Sequence, residues 1–417
     1  GDLGLGILSP DAYLSYIATN NWVTNSGASN FRNILIRDGE IVSLVDFGPY
    51  MIFDSASIQT MIMLFKKDAS IDGYSFDYRR LNGENLGVED VLGALNKING
   101  KTTVCLSPTV NRATMRDKHF VFNTVEHDVL LDKIKSKHSF YLRERADKSL
   151  NYESEVANGI HHHHDVVNDE RATILGRRFR SGDGIFVLSQ EEYAGLRLFE
   201  KEKEIIKPNY TTKELKKYYG SPVNKSWVIY TKSNIGKADP KTGNPFIDDY
   251  PNIKRHLDKF KSVITSDFRP YGLHRSREQH FFEGEKIIVT RKCPKEPTFT
   301  YTNFPCYVSA TFYIIQSDRI NLKYLTGLLN SKLIAFWLRH KGKMQGNNYQ
   351  LDKEPLLEIP IYKPSDEDME KIASLVDEVI SAKKQGLDST ETEKKIDLLV
   401  YNLYDITPED QAIIERL

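Results

Sequence analysis

The spacing of apolar and polar positions changes several times along the chain, and each change marks an element. Residues 13–18 form a short apolar run that reads as a buried strand. After a turn-rich loop, residues 26–36 carry apolar side chains at helical spacing, with Ser26 placed to cap the helix. Residues 41–47 and 58–65 read as two more strands. Strand, helix, strand at this pitch is an α/β pattern, and ligands of such sheets gather at the carboxyl ends of the strands, here residues 19–22 and 48–53.

Beyond residue 68 the pattern is mixed. Residues 102–105 and 119–123 look like strands and 125–137 like an amphipathic helix, which together make a connector up to residue 155. Strands are expected at 185–188, after the turn Gly182-Asp183-Gly184, and at 227–230, 298–301 and 310–315. A single charged helix is expected at 191–207 and a basic helix at 253–261. Residues 321–340 read as two helices broken near Asn330 and Ser331. Two further amphipathic helices, 366–386 and 392–417, read as a closing brace.

Composition sets limits on this picture. At 417 residues the length suggests about three domains. Lysine plus arginine equals aspartate plus glutamate at 57 each, so a polyanion-binding surface must be a local patch. The three cysteines Cys105, Cys293 and Cys306 are too few and too scattered for a disulfide framework or a paired zinc site, which fits a reducing cytoplasm. No apolar run approaches the roughly 18 residues of a membrane span, and no signal peptide is visible. Residues 1–4 fall straight into what reads as a helix end, so an excised fragment is expected.

Candidate chemistry concentrates in residues 269–292, where arginines, imidazoles and aromatic rings interleave across a glycine-bearing turn before the strand Ile287-Ile288-Val289. Arginine forks suit phosphate oxygens and guanine edges, and aromatic faces accept splayed bases. The alternative is a solvated loop of ordinary arginines. Residues 339–350 repeat the same mix with amides added, and asparagine and glutamine are the side chains that read adenine in two-pronged fashion. Base-reading candidates are therefore Tyr271, His274, Arg275, Arg277, Gln345, Asn347 and Asn348. Phosphate-positioning candidates are Lys254, Arg255, Arg269, Lys286, Arg291, Lys292, Lys341 and Lys343. The run His161 to His164 before Asp165 invites a rival reading as a metal-dependent hydrolase, yet neighbours on an extended chain point to opposite faces and cannot all hold one ion. A general single-strand or RNA-binding module is a third reading of the same residues.

Several phrases together resemble the carboxyl-terminal part of a type IIG restriction-modification enzyme, an adenine-specific DNA methyltransferase with a TaqI-like specificity domain. They are residues 13–22, 45–48, 58–67, 155–160, 182–187, 270–275, 325–332, 357–361 and 396–404. The resemblance implies four parts: the trailing half of a Rossmann-like methyltransferase sheet at 1–68, a connector at 69–155, a mixed α+β target recognition domain at 156–363, and a C-terminal helical brace at 364–417. It implies duplex DNA as partner and no membrane, with S-adenosylmethionine used by the full-length parent. Stacking of the extruded target base is expected at Phe53, with Tyr50 second; capping of the core is the alternative for Phe53. The family's glycine-rich donor loop and Asn-Pro-Pro-Tyr loop are not in this sequence, and Asn244-Pro245-Phe246 lacks the second proline. No catalytic residue and no bound cofactor or metal is therefore expected in this chain. The missing N-terminal half, and a nuclease domain if there is one, belong to the parent.

Overall fold

The structure, a computed structural model, describes residues 2–53, 58–83, 85–116, 118, 120–144, 154–176, 178–345 and 348–416. Its first sheet has five strands in the order Tyr13–Thr19, Thr60–Lys66, Glu40–Asp46, Asp77–Leu81, Thr103–Leu106. Tyr13–Thr19 and Glu40–Asp46 both pair antiparallel with Thr60–Lys66, so they run parallel to each other, joined by the helix Ser29–Asp38. Ser26 does not cap that helix. It opens a short 3₁₀ turn, Ser26–Ala28, and Ala28 takes the cap position. The loop is held instead by buried Arg32, whose Nη1 donates to the carbonyls of Trp22 at 2.6 Å and Asn25 at 2.7 Å.

The sheet does not end at residue 68, because Asp77–Leu81 adds in parallel to Glu40–Asp46 and Thr103–Leu106 pairs antiparallel with it. Residues 120–123 are not a strand. Phe120 and Phe122 turn their rings into the core beside Trp22 and Tyr78, which accounts for an apolar run without a ladder. The helix Val125–Ser136 sends Leu130, Leu131 and Ile134 into a different core, the one under the C-terminal helices.

A central sheet runs Tyr218–Tyr219, Phe299–Thr302, Lys286–Thr290, Phe312–Ile315, Val156–Asn158. Ile287 and Val289 pack toward the C-terminal helices, while Ile288 packs on the other face. Burial on both faces explains why that strand is apolar without alternation. Each such side chain contributes about 1.5–3 kcal/mol by burial. On the second face lies a four-stranded sheet, Tyr307–Val308, Ile206–Tyr210, Ser226–Ile229, Val187–Ser189.

The single helix expected at 191–207 is instead two short helices, Gln190–Gly195 and Glu200–Lys203, followed by the strand Ile206–Tyr210. Arg197 breaks it with a φ of 52°, and the buried Glu202 carboxylate accepts from the backbone N–H groups of Phe199 and Asn252. On the first face, Leu322–Leu329 and Lys332–Lys341 are separated by Ser331, whose hydroxyl accepts from the Ile334 N–H. The helices Asp366–Lys384, Thr390–Leu403 and Pro408–Ile414 complete the brace. The last two are divided by Asp405, with φ of 53°, and by the Thr407 cap, where one helix had been expected.

Candidate nucleic-acid interface

One end of the central sheet gathers most of the candidate residues. Strand direction places the exit of Lys286–Thr290, the start of Phe312–Ile315 and the exit of Val156–Asn158 together at that end. The connections there are stitched by backbone bonds: Ala310 N–H to Ile160 O at 2.7 Å, Arg291 N–H to Thr311 O at 3.0 Å, and Leu351 N–H to Arg291 O at 2.8 Å. His161 and Arg275 exchange two backbone bonds, each 3.1 Å, which ties the segment after Pro270 to the same place.

The strand Lys343–Gln345 pairs antiparallel with Asn348–Gln350, which pairs in turn with Lys292–Pro294. The register sets positions 292, 350 and 343 in one row and 294, 348 and 345 in the next row on that face. Cys293 and Tyr349 face the core, so alternation turns Lys292 and Asn348 outward. Lys292 and Asn348 are exposed, as is Lys341 at the end of the preceding helix. Only the backbone of Lys343 and Gln345 is described, and Asn347 lies outside the described residues.

Arg275 is exposed and Arg277 half-buried, and neither makes an ion pair among the described residues. Arg277 holds a φ of 66° and donates from Nε to the Gly159 carbonyl at 3.3 Å. Burial and the neighbouring Arg275 charge hold its pKa below the usual guanidinium value. An anion there would relieve both penalties. Arg269 is exposed on the same segment. Tyr271 is half-buried, its hydroxyl donating to Asp258 Oδ1 at 2.7 Å with Lys261 over its ring, so its polar edge is already engaged by the helix Pro251–Asp258. That helix carries Lys254, ion-paired with Asp248, and the exposed Arg255. Arg291 is partly exposed, paired with Asp352 at 2.9 Å and seated over Tyr313.

Lys286 is a correction. It begins its strand at the opposite end of the sheet, fully buried, with Nζ donating to the carbonyls of Gly284 and Phe304 at 2.7 Å each. Burial lowers its pKa to about 8. It cannot reach a phosphate backbone. Period-two alternation assigns Lys286 and Ile288 to one face, and on a strand buried on both sides that face is interior too.

His274 is also turned inward. Its ring lies 4.9 Å from that of His161 and 5.3 Å from that of His163, centroid to centroid, and its Nδ1 lies 3.5 Å from the Asp267 carboxylate. His163 takes a φ of 69°, which breaks the alternation expected of the histidine run and brings His164 against it at 4.4 Å. His164 Nε2 accepts from the Thr265 N–H at 2.9 Å. No group of three or more metal-ligating side chains among the described residues is placed to hold an ion.

Burial lowers the pKa of His162 and of His164 to about 4 each. Both folded values lie below the ordinary imidazole pKa of about 6.5, so the unfolded chain binds more protons between those limits. Stability is therefore expected to fall as pH drops from 6.5 toward 4. His162→Leu should make that fall shallower in pH-dependent thermal unfolding, and an unchanged slope would remove the buried imidazole as its cause.

At the first sheet, Gly48 turns the chain with φ of 54°, where a Cβ would sit 2.3 Å from the Leu81 carbonyl oxygen. Tyr50, beyond that turn, is half-buried against the cluster of Val45 and Phe47, while Phe53 is 46% exposed. Sequence reasoning missed a cavity of about 470 Å³ lined by Asn20, Asp46, Tyr78, Arg80, Phe122 and His340. Asp46 is its buried carboxylate, accepting from Asn20 Nδ2 at 3.2 Å and from the Gly48 N–H at 3.0 Å. The position of Asp46 at a strand exit was the available signal.

Residues 207–361 match the TaqI-like C-terminal specificity domain. The type II methyltransferase M.MjaIV of Methanocaldococcus jannaschii is 25% identical over 229 residues, covering 52% of this chain and 74% of that protein. Of solved structures, the type IIL restriction-modification enzyme MmeI in complex with DNA superposes with a TM-score of 0.57 at 12% identity, over 97% of this chain and 50% of that one. The type IIG restriction endonuclease BpuSI aligns over 97% of this chain and 48% of its own, at 12% identity and a TM-score of 0.37. The chain thus spans about half the length of those two structures. Residues 207–361 are thus similar to the TaqI-like C-terminal specificity domain, on a chain whose fold resembles about half of the MmeI chain.

Proposed function

We propose that this chain recognises a specific sequence in duplex DNA on behalf of a type II restriction-modification adenine-N6 methyltransferase. The observation that carries the reading is the convergence, at one end of the central sheet of a specificity domain, of Arg275, Arg277, Lys292 and the strand bearing Asn348. Arginine and asparagine read guanine and adenine edges, and the lysines set the backbone register. Phe53, exposed beyond the Gly48 turn, is assigned to stack the extruded adenine, with Tyr50 behind it. Methyl transfer and S-adenosylmethionine are assigned to the parent polypeptide, and no step is assigned to residues of this chain. No described helix is long and apolar enough to cross a membrane, and a cytoplasmic site of action suits a DNA substrate.

The test is competition among duplex DNA, single strands and RNA at fixed salt, followed by a salt series. Duplex is expected to win. Lys292→Ala should weaken all duplex sequences alike and reduce the salt slope by about 1. Equal competition by RNA would instead mark a general nucleic-acid-binding module.

A further inference from the structure

We propose that His161, His163 and His274 form a seat for one phosphodiester of the duplex beside Arg275, and that the phosphate enters it together with protons. The inference rests on the reading of this end of the central sheet as a DNA-binding face.

The three rings make a triangle, with centroids 4.9, 5.3 and 5.9 Å apart. His161 and His163 are exposed, and His274 lies half-buried between them. The paired backbone bonds between His161 and Arg275 set His274 beside His161, and the positive φ at His163 returns its ring to the same pair. His164 is the inner wall, buried, with its Nε2 taken by the Thr265 N–H. Arg275 is exposed next to His274, and both Arg275 and Arg277 act on the charge of His161.

Facing the cluster are Arg171 from the helix Asp169–Leu175, Asp165 from the same loop, and Asp267, Arg275 and Arg277. Burial, then the His274 and His163 rings, then Arg277 and Arg275, lower the pKa of His161. A neutral imidazole has one N–H and one lone pair, whereas a phosphodiester oxygen can only accept. The Asp267 carboxylate, 3.5 Å from His274 Nδ1, favours the proton on that side and leaves Nε2 as a lone pair. A phosphate seated among the rings replaces like-charge repulsion by attraction, so the imidazoles it touches gain affinity for a proton. Asp267 is 71% exposed, and solvent screens its opposing charge. His161 therefore holds a proton more weakly in the free chain than in the complex, so binding takes up protons and tightens as pH falls from about 8 to about 6.5. His162 and His164 stay neutral across that window, which keeps folding out of the effect.

The test is titration calorimetry of residues 1–417 with a mixed-sequence duplex at low salt. Buffers of differing ionisation enthalpy at about pH 7 count the protons bound. Uptake of about half a proton or more is expected, with affinity rising about threefold or more for each unit fall in pH. The salt slope should be steeper at the acid end of the window, as an added phosphate contact requires. The double variant His161→Gln, His163→Asn should unfold at the wild-type temperature and lose at least half of the uptake; asparagine is chosen because it tolerates the positive φ. Binding with buffer-independent heats overturns the inference alone, and so does a variant that folds and keeps more than half of the uptake. The wild-type heats decide the matter if the variant does not fold. Absence of duplex binding at every pH overturns the inference together with the functional reading.

Discussion

Replacing Arg275 and Arg277 together by alanine is expected to abolish sequence discrimination while leaving weak, salt-sensitive duplex binding in place. Each two-pronged arginine contact is worth about 1–3 kcal/mol at its own base pair, so if the two losses added, the double substitution would lower specific affinity by about thirtyfold to about twenty-thousandfold. The two side chains suit this role for different reasons. Arg275 is exposed on a backbone pinned by paired bonds to His161, so its guanidinium reaches solvent while its Cα is held. Arg277 is held by its own Nε bond to Gly159, at a strained φ, beside a like charge. Because the two guanidinium groups repel, the single substitutions should not sum to the double. Binding of matched and mismatched duplexes across a salt series separates the outcomes. Loss at particular base pairs with an unchanged salt slope is the expected result, and equal loss for every sequence would reassign both arginines to the phosphate backbone.

Much of this arrangement was legible in the sequence wherever burial alone decides the pattern. The run at Ile287 to Val289 and the helix pair around Ser331 needed no knowledge of partners, because apolar runs and a serine cap act locally. The failures came where tertiary contacts overrule local preference. The charged run at 191–207 has helical composition, but Glu202 is drawn inward to satisfy the N–H groups of Phe199 and Asn252. Phe120 and Phe122 look like strand residues, yet they serve as packing for Trp22 and Tyr78. Lys286 reads as one more cation in a basic stretch, since nothing in the one-dimensional pattern says that the start of this strand buries its lysine against the carbonyls of Gly284 and Phe304. The amides of 343–350 were noticed for their chemistry, whereas their alignment with Lys292 depends on a strand pairing that spans more than fifty residues of sequence.

Gly159→Ala is expected to be the most damaging single methyl group in the interface region, costing more than about 3 kcal/mol of stability. A Cβ at this position would lie 2.1 Å from the Ser309 carbonyl oxygen, 2.6 Å from its carbon and 2.7 Å from the Val308 oxygen. All three are backbone atoms, so no rotamer change relieves the overlap. The crossing must open, and Ile160 N–H to Val308 O at 2.8 Å and Ala310 N–H to Ile160 O at 2.7 Å are the bonds that hold it closed. The same turn positions Arg291 through Thr311, and the Gly159 carbonyl receives Arg277, so displacement passes directly to the arginines proposed to meet DNA. Denaturant unfolding should show a lower midpoint, and the fraction that still folds at low temperature should bind duplex with reduced discrimination. Gly195→Ala is the control, because a Cβ there meets nothing within 4 Å and the position ends a helix; its effect should stay within about 1 kcal/mol. If Gly159→Ala unfolds at the same midpoint as Gly195→Ala, the two backbones do not cross as closely as described, and the link from Gly159 to Arg277 loses its structural basis.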